Sequence, residues 1–342
     1  MSGLLLLWWV ALAIAGAALL IMLGLVAARL FQRWTGRERE AERRRLVAIL
    51  LEGRGTPAEV RRRDLLADVS VELIQLVRGS DREAFVETAT RLGVPERLRH
   101  HLGSGSPRIR LAAAEALAEF ADSKTVDSLT AALSDRHPDV RLASALSLAS
   151  MGRTPPAPVL VERLGIGMRQ NSLLAVALFR EIAAQTPSEI RALILDPAVP
   201  AGAKAAAIEA LSASVDYSLV PVVTTLALRA DPGDPALPRY LRSLGAFGHP
   251  AALAAVRRGL GSTSTDVRAA AAEAAGRIAL HELGPLLKAL LADSAWWVRF
   301  RAGEALSRMG EEGARLLREA AAGGSGLARE AASRTMAERG LA

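Results

Sequence analysis

Hydrophobic and polar residues follow a repeating pattern along the chain from about Arg82 onward. The template of the repeat begins with a small apolar residue and an Arg, continues with Ala and then Ala-Leu at fixed intervals, and ends with Gly or another small residue; four copies are nearly complete and the others are weaker. The positions equivalent to the Arg are 110, 141, 171, 204, 237, 268, 299 and 329, so neighbouring copies are 30 to 33 residues apart. A period of this length indicates a stack of similar helical units, because one unit cannot bury its apolar surface alone.

Each copy also predicts a second helix, because leucine and valine recur at helical spacing after the Ala-rich segment. The predicted second helices lie at 129–133, 159–164, 219–226, 253–260, 283–291 and 314–317. Two antiparallel helices per unit predict an all-α fold, an α-solenoid of about eight to nine helical repeats. Apolar residues at Leu65, Val69 and Ile74 predict an amphipathic helix within 52–80, which we expect to cap the first repeat.

Three copies carry an Asp close to the Val-Arg pair, in Asp139-Val140-Arg141, in Asp266-Val267-Arg268 and in Asp293 with Val298-Arg299. With the Ala and Ala-Leu that follow, these motifs resemble HEAT repeats, specifically the short HEAT-like repeats of phycobilin lyases and many bacterial proteins. The resemblance covers roughly residues 80–342 and implies a ladder of Asp and Arg side chains along the stack, interrupted at Asn171 and Leu237. The ladder would consist of Arg110, Arg141, Arg268, Arg299, Asp139, Asp266 and Asp293.

The N-terminal segment 4–28 contains no charged residue and is long enough to cross a membrane. As a helix it would span roughly 37 Å, whereas the hydrocarbon core of a bilayer is about 30 Å thick. Trp8 and Trp9 lie near one end, and Phe31 and Trp34 follow the other, as interfacial aromatic residues do. The alternative, a cleaved signal peptide, is weakened because no basic residue precedes the apolar run, which exceeds the usual about 7–15 residues.

Positive charge is concentrated directly after this segment. Residues 29–63 contain eleven Arg and five Glu, whereas 64–342 contain 32 basic and 31 acidic residues. Because basic flanks stay in the cytoplasm, the chain is predicted to lie in the bacterial cytoplasmic (inner) membrane as a single-pass protein, with its N-terminus outside. The segment 29–63 would form a basic juxtamembrane helix or stalk, and 64–342 the solenoid in the cytoplasm.

The membrane-proximal arginines have two interpretations, which do not exclude each other. They would bind anionic lipid headgroups, or they would only set the topology on a solvated stalk. The residues concerned are Arg29, Arg33, Arg37, Arg39, Arg43, Arg44 and Arg45.

The composition gives no support to catalysis. The chain has no Cys and five His, and no motif predicts catalytic residues, a cofactor site or a metal site. The nearly neutral charge of 64–342 argues against a nucleic-acid partner, because such proteins need a basic surface. We therefore do not expect an enzyme. The alternatives are a lyase-type modifying enzyme similar to phycobilin lyases and, with less support, a nucleic-acid-binding protein similar to HEAT-like DNA glycosylases.

One copy of the repeat departs from the others where its first helix begins. Trp296 and Trp297 precede Val298-Arg299, Phe300 follows, and other copies have polar residues before Val-Arg. These rings either pack against the terminal unit or anchor a protein partner. Similar membrane-tethered HEAT-like proteins carry such a tryptophan pair and are often found beside envelope glycosyltransferases. The resemblance thus implies a scaffold or adaptor for an integral-membrane enzyme of envelope or polysaccharide synthesis.

Overall fold

The computed structural model of the protein describes residue 22 and residues 38–167, 173–212 and 216–341. In these ranges the regular secondary structure is helical, and no strand occurs. The predicted span 4–28 lies outside the described residues apart from Met22, and so do Arg29, Arg33, Arg37 and Asn171. Among the helices that are described, none is long and apolar enough to cross a membrane.

The chain divides into two compact units, Met1–Ser128 and Leu129–Ala342, here called unit 1 and unit 2. The helices up to the boundary are α1 (38–52), α2 (Arg63–Ile74), α3 (Ser80–Arg91), α4 (Val94–His101), α5 (Pro107–Ala116) and α6 (Ser123–Ala132), which contains the boundary. Unit 2 continues with α7 (Pro138–Ser150), α8 (Ala157–Leu164), α9 (Leu173–Gln185), α10 (Pro187–Leu195), α11 (Ala201–Leu211), α12 (Val220–Arg229), α13 (Leu237–Phe247), α14 (Leu253–Leu260), α15 (Thr265–Ile278), α16 (Gly284–Leu290), α17 (Trp296–Ser307), α18 (Gly310–Gly323) and α19 (Gly326–Arg339).

Unit 1 is built around α4, which packs against α2, α3 and α5. The amphipathic helix predicted within 52–80 is α2, and the prediction of its apolar face is confirmed. Leu65, Val69 and Ile74 are buried, whereas Asp64 and Asp68 face solvent. Helical spacing therefore placed the core side of this helix correctly.

Unit 2 consists of two layers of helices, as the sequence predicts for a solenoid. The odd-numbered helices from α7 to α19 pack each against the next, and in the second layer α8 packs on α10, α12 on α14 and α16 on α18. The second helices predicted at 159–164, 219–226, 253–260, 283–291 and 314–317 correspond to α8, α12, α14, α16 and α18. Within unit 2 the all-helical solenoid is therefore confirmed.

Small residues set the close spacing of the odd-numbered helices. A Cβ atom on Gly245 would lie 2.8 Å from the Cα atom of Ala274, and one on Gly276 would lie 2.5 Å from the Cα atom of Ala305. Both the two glycines and the two alanines are 31 residues apart, so the packing register repeats at the period of the sequence. Larger residues at these positions would force the helix backbones apart.

Candidate partner-binding site

The start of α17 is held in place by its own turn. The Asp293 side chain accepts a hydrogen bond from the Ala295 N–H at 2.8 Å, and Arg299 Nη1 donates to the carbonyl oxygens of Asp293 and Ser294 at 2.8 and 2.9 Å. Val298 is fully buried beneath this turn. The residues between the turn and Val298 are therefore presented on a fixed backbone.

Trp296, Trp297 and Phe300 form an aromatic cluster on this backbone. The Trp296 and Phe300 rings are stacked, with centroids 5.3 Å apart and an interplanar angle of 12°. Trp297 meets both edge-on, with its centroid 4.6 Å from that of Trp296 and 5.8 Å from that of Phe300. Such offset and edge-to-face contacts stabilise the rings against one another.

The cluster lies at the surface of unit 2. Trp296 is 44% exposed and Trp297 is 58% exposed, while Phe300 is half-buried. Trp296 and Phe300 border a shallow depression together with Ala331 and Thr335 of α19. Both tryptophan rings nevertheless remain partly exposed to a partner.

Several charged residues near the cluster form ion pairs with one another. Arg301 binds Glu304 at 2.9 Å and approaches Glu273 at 3.6 Å, and its guanidinium carbon lies 5.8 Å from the centroid of the Phe300 ring. Glu304 also binds Arg308 at 2.8 Å. Because these charges are already paired, we expect binding at the cluster to depend mainly on burial of the rings.

The four arginines assigned to the ladder stabilise turns of the chain. In each case Nη1 donates a hydrogen bond to the carbonyl oxygen six residues earlier, at 2.8–3.0 Å. The arginines that make this bond are Arg110, Arg141, Arg268 and Arg299. The repeated Arg therefore has a structural role, because it satisfies carbonyl oxygens between consecutive helices.

One Asp–Arg pair has the geometry that the ladder predicts. Arg268 Nε and Nη2 donate to the two carboxylate oxygens of Asp293 at 2.8 and 3.0 Å, and both side chains are largely buried. Burial acts to raise the pKa of Asp293, but the hydrogen bonds from Arg268 and Ala295 and the charges of Arg268 and Arg299 outweigh it. The pKa of this carboxyl therefore lies below its ordinary value.

The other two carboxylates of the predicted ladder lie at the starts of helices. Asp139 and Asp266 are the second residues of α7 and α15, and both are exposed. Among the described residues neither makes an ion pair with a repeat Arg, and the ionisable group near Asp139 is His137, whose Nδ1 atom lies 3.6 Å away. The ladder role of these two stays a prediction, whereas the carboxylate that pairs with Arg268 is Asp293, which comes from the turn before α17 and not from the residue before Val-Arg. The sequence feature that could have indicated this pair is Asp293, which follows Leu291 and Ala292 in the turn before α17.

The described membrane-proximal arginines lie on α1. Arg39, Arg44 and Arg45 are exposed, while Arg43 forms an ion pair with Glu72 of α2. Leu46 and Leu50 form the buried side of α1. Within the described ranges, no group of three or more His, Asp or Glu side chains has a geometry that would hold a metal ion.

Unit 2 also has a groove of about 690 Å³ beside the N-terminal ends of α7 and α9. Arg136, Arg141 and Arg163 line it together with Leu174, which is 52% exposed. Sequence reasoning did not single out Leu174, because a leucine within an apolar helix such as α9 normally indicates core. This groove is a second surface with both apolar and charged groups.

Comparison with known proteins identifies the repeat. A family model described as HEAT repeats matches residues 95–178, 224–307 and 259–337. None of the curated proteins matches the chain. Similar solved structures include the karyopherin Kap121p bound to RanGTP, with 13% identity and a TM-score of 0.47 over 86% of this chain and 38% of Kap121p.

Kap121p bound to the extreme C-terminus of the protein phosphatase Cdc14p is also similar, with 13% identity and a TM-score of 0.44 over 81% of this chain and 38% of that one. This chain thus spans well under half the length of Kap121p. Human deoxyhypusine hydroxylase in complex with glycerol has 15% identity and a TM-score of 0.31, over 90% of this chain and 99% of that one. The family matches cover more than half of the residues, and the chain therefore belongs to the HEAT-repeat family.

Proposed function

We propose that this protein is a membrane-tethered scaffold that binds a partner protein through a surface of unit 2 that includes the aromatic cluster. The exposure of Trp296 and Trp297, at 44% and 58%, is the observation that carries the proposal. Large aromatic rings contribute much of the binding free energy at protein interfaces when a partner removes them from water. The hydrogen-bonded turn before α17 fixes the backbone that carries the rings before a partner binds. Less conformational entropy is therefore lost on binding.

The tether in this proposal is the predicted span 4–28. The arginines of 29–63 would keep the following chain in the cytoplasm, so the protein would lie at the bacterial cytoplasmic membrane with its N-terminus outside. A partner in the same membrane would then meet the cluster at a raised local concentration, which favours binding even when the contact surface is small.

The partner class that we favour is an integral-membrane enzyme, specifically a glycosyltransferase of envelope or polysaccharide synthesis. The resemblance to membrane-tethered HEAT-like proteins supports this choice. The chain itself would supply a binding surface and no catalytic group. Near the cluster, Glu304 forms ion pairs with Arg301 and Arg308. A carboxylate held in this way is better suited to a contact surface than to proton transfer as a general acid or base.

The double variant W296A/W297A tests the binding role, with L195A/L228A as its control. Leu195 and Leu228 are also exposed, at 61% and 39%, but lie on α10 and α12. Full-length protein is cross-linked in its native membranes and purified, and the recovered partner is quantified beside the thermal unfolding of each variant. Loss of both anchors is expected to weaken capture about thirtyfold, equivalent to about 2 kcal/mol, while the control retains capture.

The same variants also test the alternative that the two tryptophans stabilise the core. If the tryptophans serve the core, their removal should lower the free energy of unfolding by about 3–5 kcal/mol per ring. An early unfolding transition, or equal capture by both double variants, would contradict a binding role for the cluster.

A further inference from the structure

A cleft in unit 1 brings together arginines from three separate elements. Arg39 comes from α1, Arg97 comes from α4, and Arg61 and Arg62 directly precede Arg63, the first residue of α2. The cleft has a volume of about 450 Å³, within the range of about 300–1,000 Å³ that is usual for ligand pockets. Its positive lining is therefore formed by the tertiary fold of the unit and not by a single run of sequence.

Within residues 38–128, most of this charge is not paired with an acidic side chain. Asp64 at the cleft is already engaged, because Arg97 donates to its carboxylate and His101 Nε2 lies 3.2 Å from it. Within residues 38–128, the remaining four arginines, Arg39 and Arg61 to Arg63, form no ion pair, and Asp68 is the one other acidic residue of the lining. Elsewhere in the unit, arginines such as Arg43 and Arg82 pair with glutamates.

Four unpaired guanidinium groups around one cleft repel one another, so a bound anion would relieve this repulsion. Guanidinium groups match phosphate oxygens in a bidentate geometry, which makes phosphate the anion that such a lining recognises best. We propose that this cleft binds the phosphate of an anionic phospholipid headgroup. The cleft would thereby hold unit 1 against the membrane surface, in addition to any contact made by the arginines of the stalk.

The position of the cleft along the chain supports the lipid as the source of the phosphate. Arg39 follows Ala28, the end of the predicted span, by eleven residues, and that length of chain reaches at most about 40 Å. Basic pockets next to the cytoplasmic leaflet are typical sites for anionic headgroups. This inference rests on the proposed membrane tether, whereas the binding assay that tests it does not depend on the tether.

The experiment uses the full chain in neutral detergent with fluorescently labelled phosphatidylglycerol, and labelled phosphatidylcholine as the neutral lipid. R61Q/R62Q removes two charges from the cleft, and R44Q/R45Q removes two exposed charges from α1 outside it. Fluorescence anisotropy is expected to show a preference of the wild type for phosphatidylglycerol. R61Q/R62Q should weaken this binding about thirtyfold, at about fivefold per arginine, and R44Q/R45Q much less.

Three results would overturn the inference. The first is equal binding of the two lipids by the wild type, and the second is an equal loss in the two double variants, which would indicate a general basic surface. The third is displacement of the lipid by inorganic phosphate at concentrations similar to those of the lipid, which would indicate a site for a free anion. Extraction of the chain from native membranes by alkaline carbonate would contradict the tether alone, because the binding assay in detergent does not depend on it.

Discussion

Replacement of Gly276 by Ala in α15 is expected to destabilise unit 2, although the same change normally stabilises a helix. In a helix interior, Ala is favoured over Gly by about 1 kcal/mol. At this position the new methyl group would lie 2.5 Å from the Cα atom and 2.8 Å from the Cβ atom of Ala305. Carbon atoms in contact are about 3.5–4.0 Å apart, so α15 and α17 would have to separate by about 1 Å.

Overpacking of this kind costs about 1–3 kcal/mol, which exceeds the gain in helix propensity. The net loss would therefore reach about 2 kcal/mol, and the melting temperature would fall by up to about 8 °C in a unit of this size. Because neighbouring helix pairs share their interfaces, the loss should extend to α17 and be visible as faster hydrogen exchange there.

The control is Gly323→Ala at the end of α18. A Cβ atom on Gly323 would meet nothing within 4 Å, so this variant should be neutral or more stable by up to about 1 kcal/mol. Thermal and denaturant unfolding of both variants would be compared with the wild type. If Gly276→Ala stabilised the protein as much as Gly323→Ala, the account of close helix packing at the repeat period would be refuted.

Two further predictions concern the buried ion pair and the topology. Because the pKa of Asp293 is lowered in the folded state, its pairing with Arg268 stabilises the fold above the ordinary aspartate pKa, and this contribution is lost as the pH falls through the folded pKa. Asp293→Asn should lower the free energy of unfolding by about 3 kcal/mol at neutral pH. Denaturant unfolding should show that the difference between wild type and variant is constant from pH 8 to 5 and shrinks below about pH 4. A difference independent of pH would count against the pair. For the topology, a protease added to intact spheroplasts should leave residues 36–342 uncleaved, as an immunoblot would show, and digestion of this part would instead support a secreted body.

The period of the sequence predicts most of the helices of unit 2. Small residues recur every 30 to 33 positions, and a helix pair is the unit that such a period describes. The short helix α10 was not among the predicted second helices, although Ile190, Leu193 and Ile194 form its buried side. It belongs to the copy at Asn171, one of the two copies in which the marker Arg is missing.

The chemistry of the surface was harder to predict than the fold. Sequence order suggested that Asp139 and Asp266 lie beside their arginines, but both are exposed, and the carboxylate that pairs with Arg268 belongs to Asp293 of the following turn. Exposure of Trp296 could not be deduced either, since an apolar ring at the start of a helix is compatible with core and with surface. The arginine cleft depends on Arg97, which only the tertiary fold brings to α2.

The central claim, that a partner covers the aromatic cluster in the membrane, is tested most directly by oxidative footprinting of tryptophan. Hydroxyl radicals are applied to the full chain in native membranes and, separately, to the purified chain in detergent, and oxidation of Trp296 and Trp297 is quantified by mass spectrometry. At 44% and 58% exposure, both rings should react readily in the purified chain. The account predicts strong protection of both rings in native membranes, with no change at exposed Tyr217. Equal oxidation of the two tryptophans in both preparations would contradict it.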